Sequence, residues 1–129
     1  MKCLFCKIFD KKEKGFIYDN NGFYSFLDPN PVNKGHALII PKRHLNSLIG
    51  LTNEEQNDFF DALREVKKFI DKKYHPDGYN IGINDGKAAG QTIMHLHVHL
   101  IPRYEGDVPN PKGGIRNVIL GKGDYTKKN

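Results

Sequence analysis

The sequence predicts an α+β fold, a mostly antiparallel five-stranded sheet with one long helix, and three observations carry that prediction. An Asn-Gly pair separates two aromatic-rich runs, one capped segment repeats its apolar residues at helical spacing, and a histidine-bearing stretch alternates with aliphatic residues at strand spacing. Residues 16–19 and 22–28 flank Asn20-Asn21-Gly22 and are expected to form the first hairpin. Pro29 and Pro31 break the pattern, and His36-Ala37-Leu38-Ile39-Ile40, ended by Pro41, reads as a third strand. Thr52-Asn53-Glu54-Glu55 is a capping box that starts the long helix. Phe59, Ala62, Leu63, Val66, Ile70 and Tyr74 form its apolar stripe, and His75-Pro76-Asp77-Gly78 ends it. Residues 79–84 and 93–101 supply the last two strands.

Composition narrows the function. A chain of 129 residues is one domain's length. Twenty basic against fifteen acidic residues give a formal charge of +5, which points to an anionic partner without naming it. Hydrophobic residues at 38% suffice for a core. No apolar run is long enough to span a bilayer, and the N-terminus reads as neither signal peptide nor anchor, so no membrane partner and a cytoplasmic location are expected. Nucleic-acid binding rests on charge alone, with no recognised reader motif. The polar tail, 124–129, is expected to be flexible.

The chemistry concentrates in His95-Leu96-His97-Val98-His99-Leu100-Ile101. On a strand the three histidines share one face while Leu96, Val98 and Leu100 enter the core. A merely solvent-facing stripe is the alternative. Upstream, Asn84 to Thr92 is a loop with glycines at 86 and 90 that could cradle an anion, or serve only as a strand connection. It matches neither the P-loop nor the dinucleotide pattern. Beside an anion, a neutral imidazole is a competent nucleophile toward phosphorus. His97 is central, a flanking histidine can hydrogen-bond the leaving oxygen, and Gln91 and Thr92 can donate to phosphoryl oxygens.

These residues resemble the histidine triad superfamily, whose signature of three histidines alternating with apolar residues is complete at 95–101. The likeness extends over most of the chain, through Gly90-Gln91-Thr92, Pro102-Arg103, Phe26-Leu27-Asp28-Pro29 and Gly35 to Pro41, and is greatest toward the microbial and fragile-histidine-triad branches. The resemblance implies one such domain over 1–129, with a short helix besides the long one and a sheet extended across a homodimer. It implies a nucleotide hydrolase or nucleotidyl transferase in which His97 attacks the α-phosphate of an adenine nucleotide, a diadenosine polyphosphate foremost. His99 would contact the scissile oxygen, and His36 and His95 would support the cluster. Asp28 would bind the ribose, Asn84, Gly90, Gln91 and Thr92 the phosphate, and Leu4, Phe5, Ile8, Phe26 and Leu27 the base. A nucleoside phosphoramidase, a phosphorylase and a nucleotide-binding sensor with little turnover are the competing readings.

Cys3-x-x-Cys6 is half a zinc site, with a redox dithiol and two buried thiols as alternatives. Zinc-carrying members of the superfamily draw the other two ligands from positions matching His44 and His95, which implies a structural zinc at a knuckle over 1–9. No organic cofactor is implied.

Overall fold

Asn20 sets the first turn by accepting from the amides of Gly22 and Phe23 at 3.0 and 2.9 Å. It thereby joins β1 (Tyr18–Asp19) to β2 (Phe23–Leu27). Asp58 packs closely over Gly22, where a Cβ would lie 2.7 Å from its Oδ2 and would displace that side chain. This computed structural model describes residues 3–11 and 15–126. β3 (Ala37–Pro41), β4 (Gly78–Gly82) and β5 (Val98–Arg103) complete an antiparallel sheet of order β1-β2-β3-β5-β4.

The long helix runs over Asn53–Tyr74 and a short one over Leu4–Lys11; they are α2 and α1 respectively. Thr52 Oγ1 accepts from the Glu55 amide at 3.1 Å while the Glu55 carboxylate accepts from the Thr52 amide at 2.9 Å, a box of the kind worth about 1 kcal/mol. His75 caps the other end in the left-handed region, φ 53°.

Strand alternation divides the core in two. Phe23, Ala37, Ile39, Val98 and Leu100 pack against Ala62, Val66 and Ile70 of α2. Tyr24, Phe26, Leu38 and Ile40 face the other way and receive Phe5 and Ile8 of α1, which the Tyr24 hydroxyl ties down by donating to Phe5 O at 2.6 Å. His99 pairs with Leu38 and so lies on the α1 side.

The expected strand over 93–101 instead begins at Val98 and continues through Pro102 to Arg103. Continuing the β3–β5 register would set Leu96 opposite Pro41, which has no N–H to donate, so the ladder stops. Leu96 bonds the Leu45 carbonyl instead, at 2.7 Å. Pro102 is tolerated because β3 has already ended beside it, and its carbonyl accepts from Asn33 Nδ2 at 3.1 Å. Asp124 accepts from Asn110 Nδ2 and from the Thr126 amide, both at 2.9 Å, while 127–129 lie outside the described residues.

Candidate active site and metal cluster

The broken ladder separates the three histidines. His95 is fully buried and turns toward the cysteines, whereas His97 and His99 line a cavity of about 370 Å³ beneath α1. Three histidines on one strand face is therefore corrected: one of them lies on the strand, and two precede it.

Hydrogen bonding fixes which nitrogen of each ring carries the proton. His97 Nδ1 lies 2.9 Å from His95 O. A carbonyl can only accept, so Nδ1 is the donor and Nε2 keeps its lone pair, the form a nucleophile needs. The Val32 amide donates to His36 Nδ1 at 3.0 Å, leaving the hydrogen on His36 Nε2, which lies 3.0 Å from His99 Nδ1. His99 therefore accepts at Nδ1 and presents Nε2–H as a donor. Burial, with His97 and His36 nearby, pushes His99 down to about 4, so this ring is neutral at pH 7. His36 is lowered by burial and partly restored by Asp28, whose Oδ2 is 3.6 Å from its Nε2. Asp28 Oδ1 is engaged by the Asn30 amide at 2.9 Å.

The cavity collects most of the residues that the sequence nominates for the base and sugar, Leu4, Phe5, Ile8, Phe26 and Asp28, and one of the four nominated for phosphate, Thr92. Leu27 does not, because it packs with the α2 core on the opposite side of the sheet. Gln91 is not brought to the cavity either. Its Oε1 accepts from the Gly86 amide at 2.8 Å and its Nε2 donates to Ile93 O at 3.2 Å, which folds the loop on itself. Gly90, at φ 96°, closes that loop's 3-10 turn, and Asn84 lines a second cavity described below. Sequence reasoning missed Pro29, Asn30, Leu38 and Ile93. Leu38 was recoverable, since alternation through β3 sets it on the face opposite Ala37 and Ile39.

The other cluster joins four separated residues. His95 Nε2 donates to Pro41 O at 2.8 Å, so its Nδ1 lone pair faces Cys3 Sγ at 3.4 Å, Cys6 Sγ at 3.6 Å and His44 Nδ1 at 3.1 Å. Cys6 Sγ is 3.5 Å from His44 Nδ1, and all four ligand atoms lie within 4.8 Å of one another. A tetrahedral zinc with bonds of about 2.3 Å to sulfur and 2.0–2.1 Å to nitrogen would set S···N at ~3.5 Å and N···N at ~3.3 Å. The donor set and spacing fit that ion. Burial and the Cys3 sulfur push the Cys6 thiol up to about 11, so a cation would supply what the cluster itself lacks.

Of the basic residues close in sequence to the site elements, Lys42, Arg43, Lys87 and Arg103, all but Lys87 are shown in ion pairs. Arg43 forms a bidentate pair with Glu55 at 2.8 and 2.9 Å, Arg103 pairs with Asp107 at 2.8 Å, and Lys42 meets Asp19 at 2.6 Å. Among the described residues no helix is long and apolar enough to cross a membrane.

Comparison with known proteins gives the geometry a family. An uncharacterized HIT-like protein of Methanocaldococcus jannaschii is 42% identical over 120 residues, 92% of each chain. The asymmetrical bis(5'-nucleosyl)-tetraphosphatase of Schizosaccharomyces pombe is 43% identical over 83 residues, 64% of this chain and 46% of that one. The crystal structure of a zinc-bound histidine triad family protein from Mycobacterium smegmatis superposes with TM-score 0.73 at 38% identity, covering 83% of this chain and 78% of that chain. The HIT domain model matches residues 10–106, and on that match and the archaeal relative the chain belongs to the HIT domain family.

Proposed function

We propose that this chain is a nucleotide hydrolase or nucleotidyl transferase that cleaves an adenine nucleotide, a diadenosine polyphosphate foremost, at the α-phosphate. The observation that carries the reading is the 2.9 Å bond from His97 Nδ1 to His95 O, which leaves Nε2 as a free lone pair at the wall of the cavity beside the His99 donor. The tetraphosphatase relative supports the substrate class.

In this scheme the base lies against Leu4, Phe5, Ile8 and Phe26, and Asp28 accepts from the ribose hydroxyls. His97 Nε2 attacks phosphorus, the bond to the bridging oxygen breaks, and its electron pair leaves with the departing nucleotide. That group is already a stable anion, so His99 gives it a hydrogen bond and no proton. The adduct is an N-phosphoryl imidazolium held by the His95 carbonyl at Nδ1–H. Water then attacks phosphorus, the N–P bond breaks, histidine returns neutral, and the water proton passes to solvent. Thr92 donates to the phosphoryl oxygens.

Cys3, Cys6, His44 and His95 hold a zinc ion in this reading, supported by their spacing and by the zinc-bound relative. The ion anchors α1 over the base. A single domain, a homodimer joined along β4 and a cytoplasmic setting complete the proposal.

The test is trapping of ³²P on the protein from an α-labelled adenine dinucleotide. We expect label on the wild type, none on His97→Asn, and turnover in that variant reduced by about 10³-fold or more. Label that survives the substitution overturns the assignment. A wild type that binds nucleotide without ever becoming labelled is a sensor.

A further inference from the structure

The cavity under α1 encloses about 370 Å³ and gathers one set of base and ribose residues, yet the proposed substrate carries two nucleosides. His99 also lines a second, larger cavity of about 680 Å³ that continues across the same sheet face over β5 and β4. Asn80 and Gly82 pair with Ile101 and His99 of β5, and all four line this groove. Its outer wall comes from the C-terminal segment: Ile115, Val118 and Ile119 line it while remaining 61, 72 and 63% exposed.

Three apolar side chains this exposed call for an occupant, and the segment holding them is built in place. Arg116 Nε donates to Gly123 O at 3.1 Å, Asn110 ties to Asp124, and the Gly113 and Gly123 backbones meet too closely to admit a Cβ. The Ile115 side chain lies over Gly82, where an added Cβ would sit 3.6 Å from it. This wall falls outside residues 10–106, the part matched by the HIT domain, and within the 92% of the chain that aligns with the Methanocaldococcus jannaschii relative.

We infer that the groove beyond His99 is the subsite for the departing half of the substrate, seating its uncharged nucleoside between the C-terminal isoleucines and the β4–β5 face. The inference rests on the proposed function and adds a specificity element to it. Among the described residues neither cavity is lined by lysine or arginine, so the groove suits an aromatic base rather than a long phosphate chain. Asn80 and Asn84 supply amides for a base edge, and His99 stands at the junction, where its donor meets the oxygen joining the two halves.

Binding separates this inference from the chemistry. AMP and a methylene-bridged, hydrolysis-resistant diadenosine triphosphate are titrated calorimetrically into the wild type, Ile115→Asp and Ile119→Asp. Both side chains are exposed, so the variants retain the fold, which circular dichroism checks. We expect the dinucleotide to bind the wild type more tightly than AMP, and each substitution to lower the dinucleotide-to-AMP affinity ratio about tenfold. Equal affinities in the wild type, or a ratio unmoved by both substitutions, overturn the subsite, as they would if a second copy of the chain filled the groove. Failure of AMP itself to bind overturns the proposed function instead.

Discussion

Each histidine of the motif has its proton placed by a different partner: His95 by the Pro41 carbonyl, His97 by the His95 carbonyl, and His99 by a relay that starts at the Val32 amide. A motif that specifies only residue types shows none of these bonds, because two of the partners, the Pro41 carbonyl and the Val32 amide, are backbone groups brought near by folding and the third is a backbone carbonyl of the motif itself. The motif made the candidate nucleophile legible and left its tautomer hidden. The relay also has a pH signature. His99 titrates near 6.5 when unfolded and near 4 when folded, so the unfolded chain binds more protons throughout that interval. Its contribution to stability is complete above pH 6.5 and is lost as pH falls toward 4. Urea unfolding of chelator-treated protein at pH 7, 6, 5 and 4 is expected to show this decline, with a shallower slope in His99→Gln. Identical slopes in the two proteins contradict the lowered pKa of His99.

The helices and strands were legible to different degrees. α2 was readable at both ends because a capping box and a His-Pro stop are local signals, and the hairpin at Asn20 was readable for the same reason. The start of β5 was not, since a strand ends where its neighbour can no longer pair, and that neighbour, Pro41, lies far away in sequence. α1 has no acidic residue in its first turn and a single basic one, Lys11, in its last. It is held from outside, by the Tyr24 hydroxyl, by Phe5 packed on the His97 ring at 4.9 Å, and by two cysteines facing His44 and His95. A helix of eight residues is too short to persist by propensity, so its order depends on those ties. Elemental analysis of dialysed protein is expected to find about one zinc per chain, and none in Cys3→Ser/Cys6→Ser. The double variant is expected to lose about 2 kcal/mol or more and to melt about 6–10 °C lower. A metal-free wild type rules the ion out.

For the molecule as a whole, the net charge of +5 was the first clue to an anionic ligand, and it says little about the candidate site, whose cavity is lined by neither lysine nor arginine among the described residues. Arg43, Arg103 and Lys42 are near the site in sequence but paired in space, two of them bidentately or nearly so, and they brace loops. The sheet ends on one side at β4, whose Gly-Tyr-Asn-Ile-Gly carries neither proline nor charge and leaves Ile81 47% exposed. Such an edge invites another strand, and sedimentation at micromolar concentration is expected to give a dimer that Ile81→Lys converts to monomer. A monomeric wild type refutes that assembly. Pro41 has the widest reach of any single residue here. By withholding one amide hydrogen it releases residues 93–97 from the sheet, and by offering its oxygen it claims the first histidine of the motif. A residue that could pair would let the strand run on to Leu96, which would move the His95 ring off the Pro41 carbonyl and shift the carbonyl against which His97 rests. One imino acid thus partitions a single histidine motif between anchorage and reactivity.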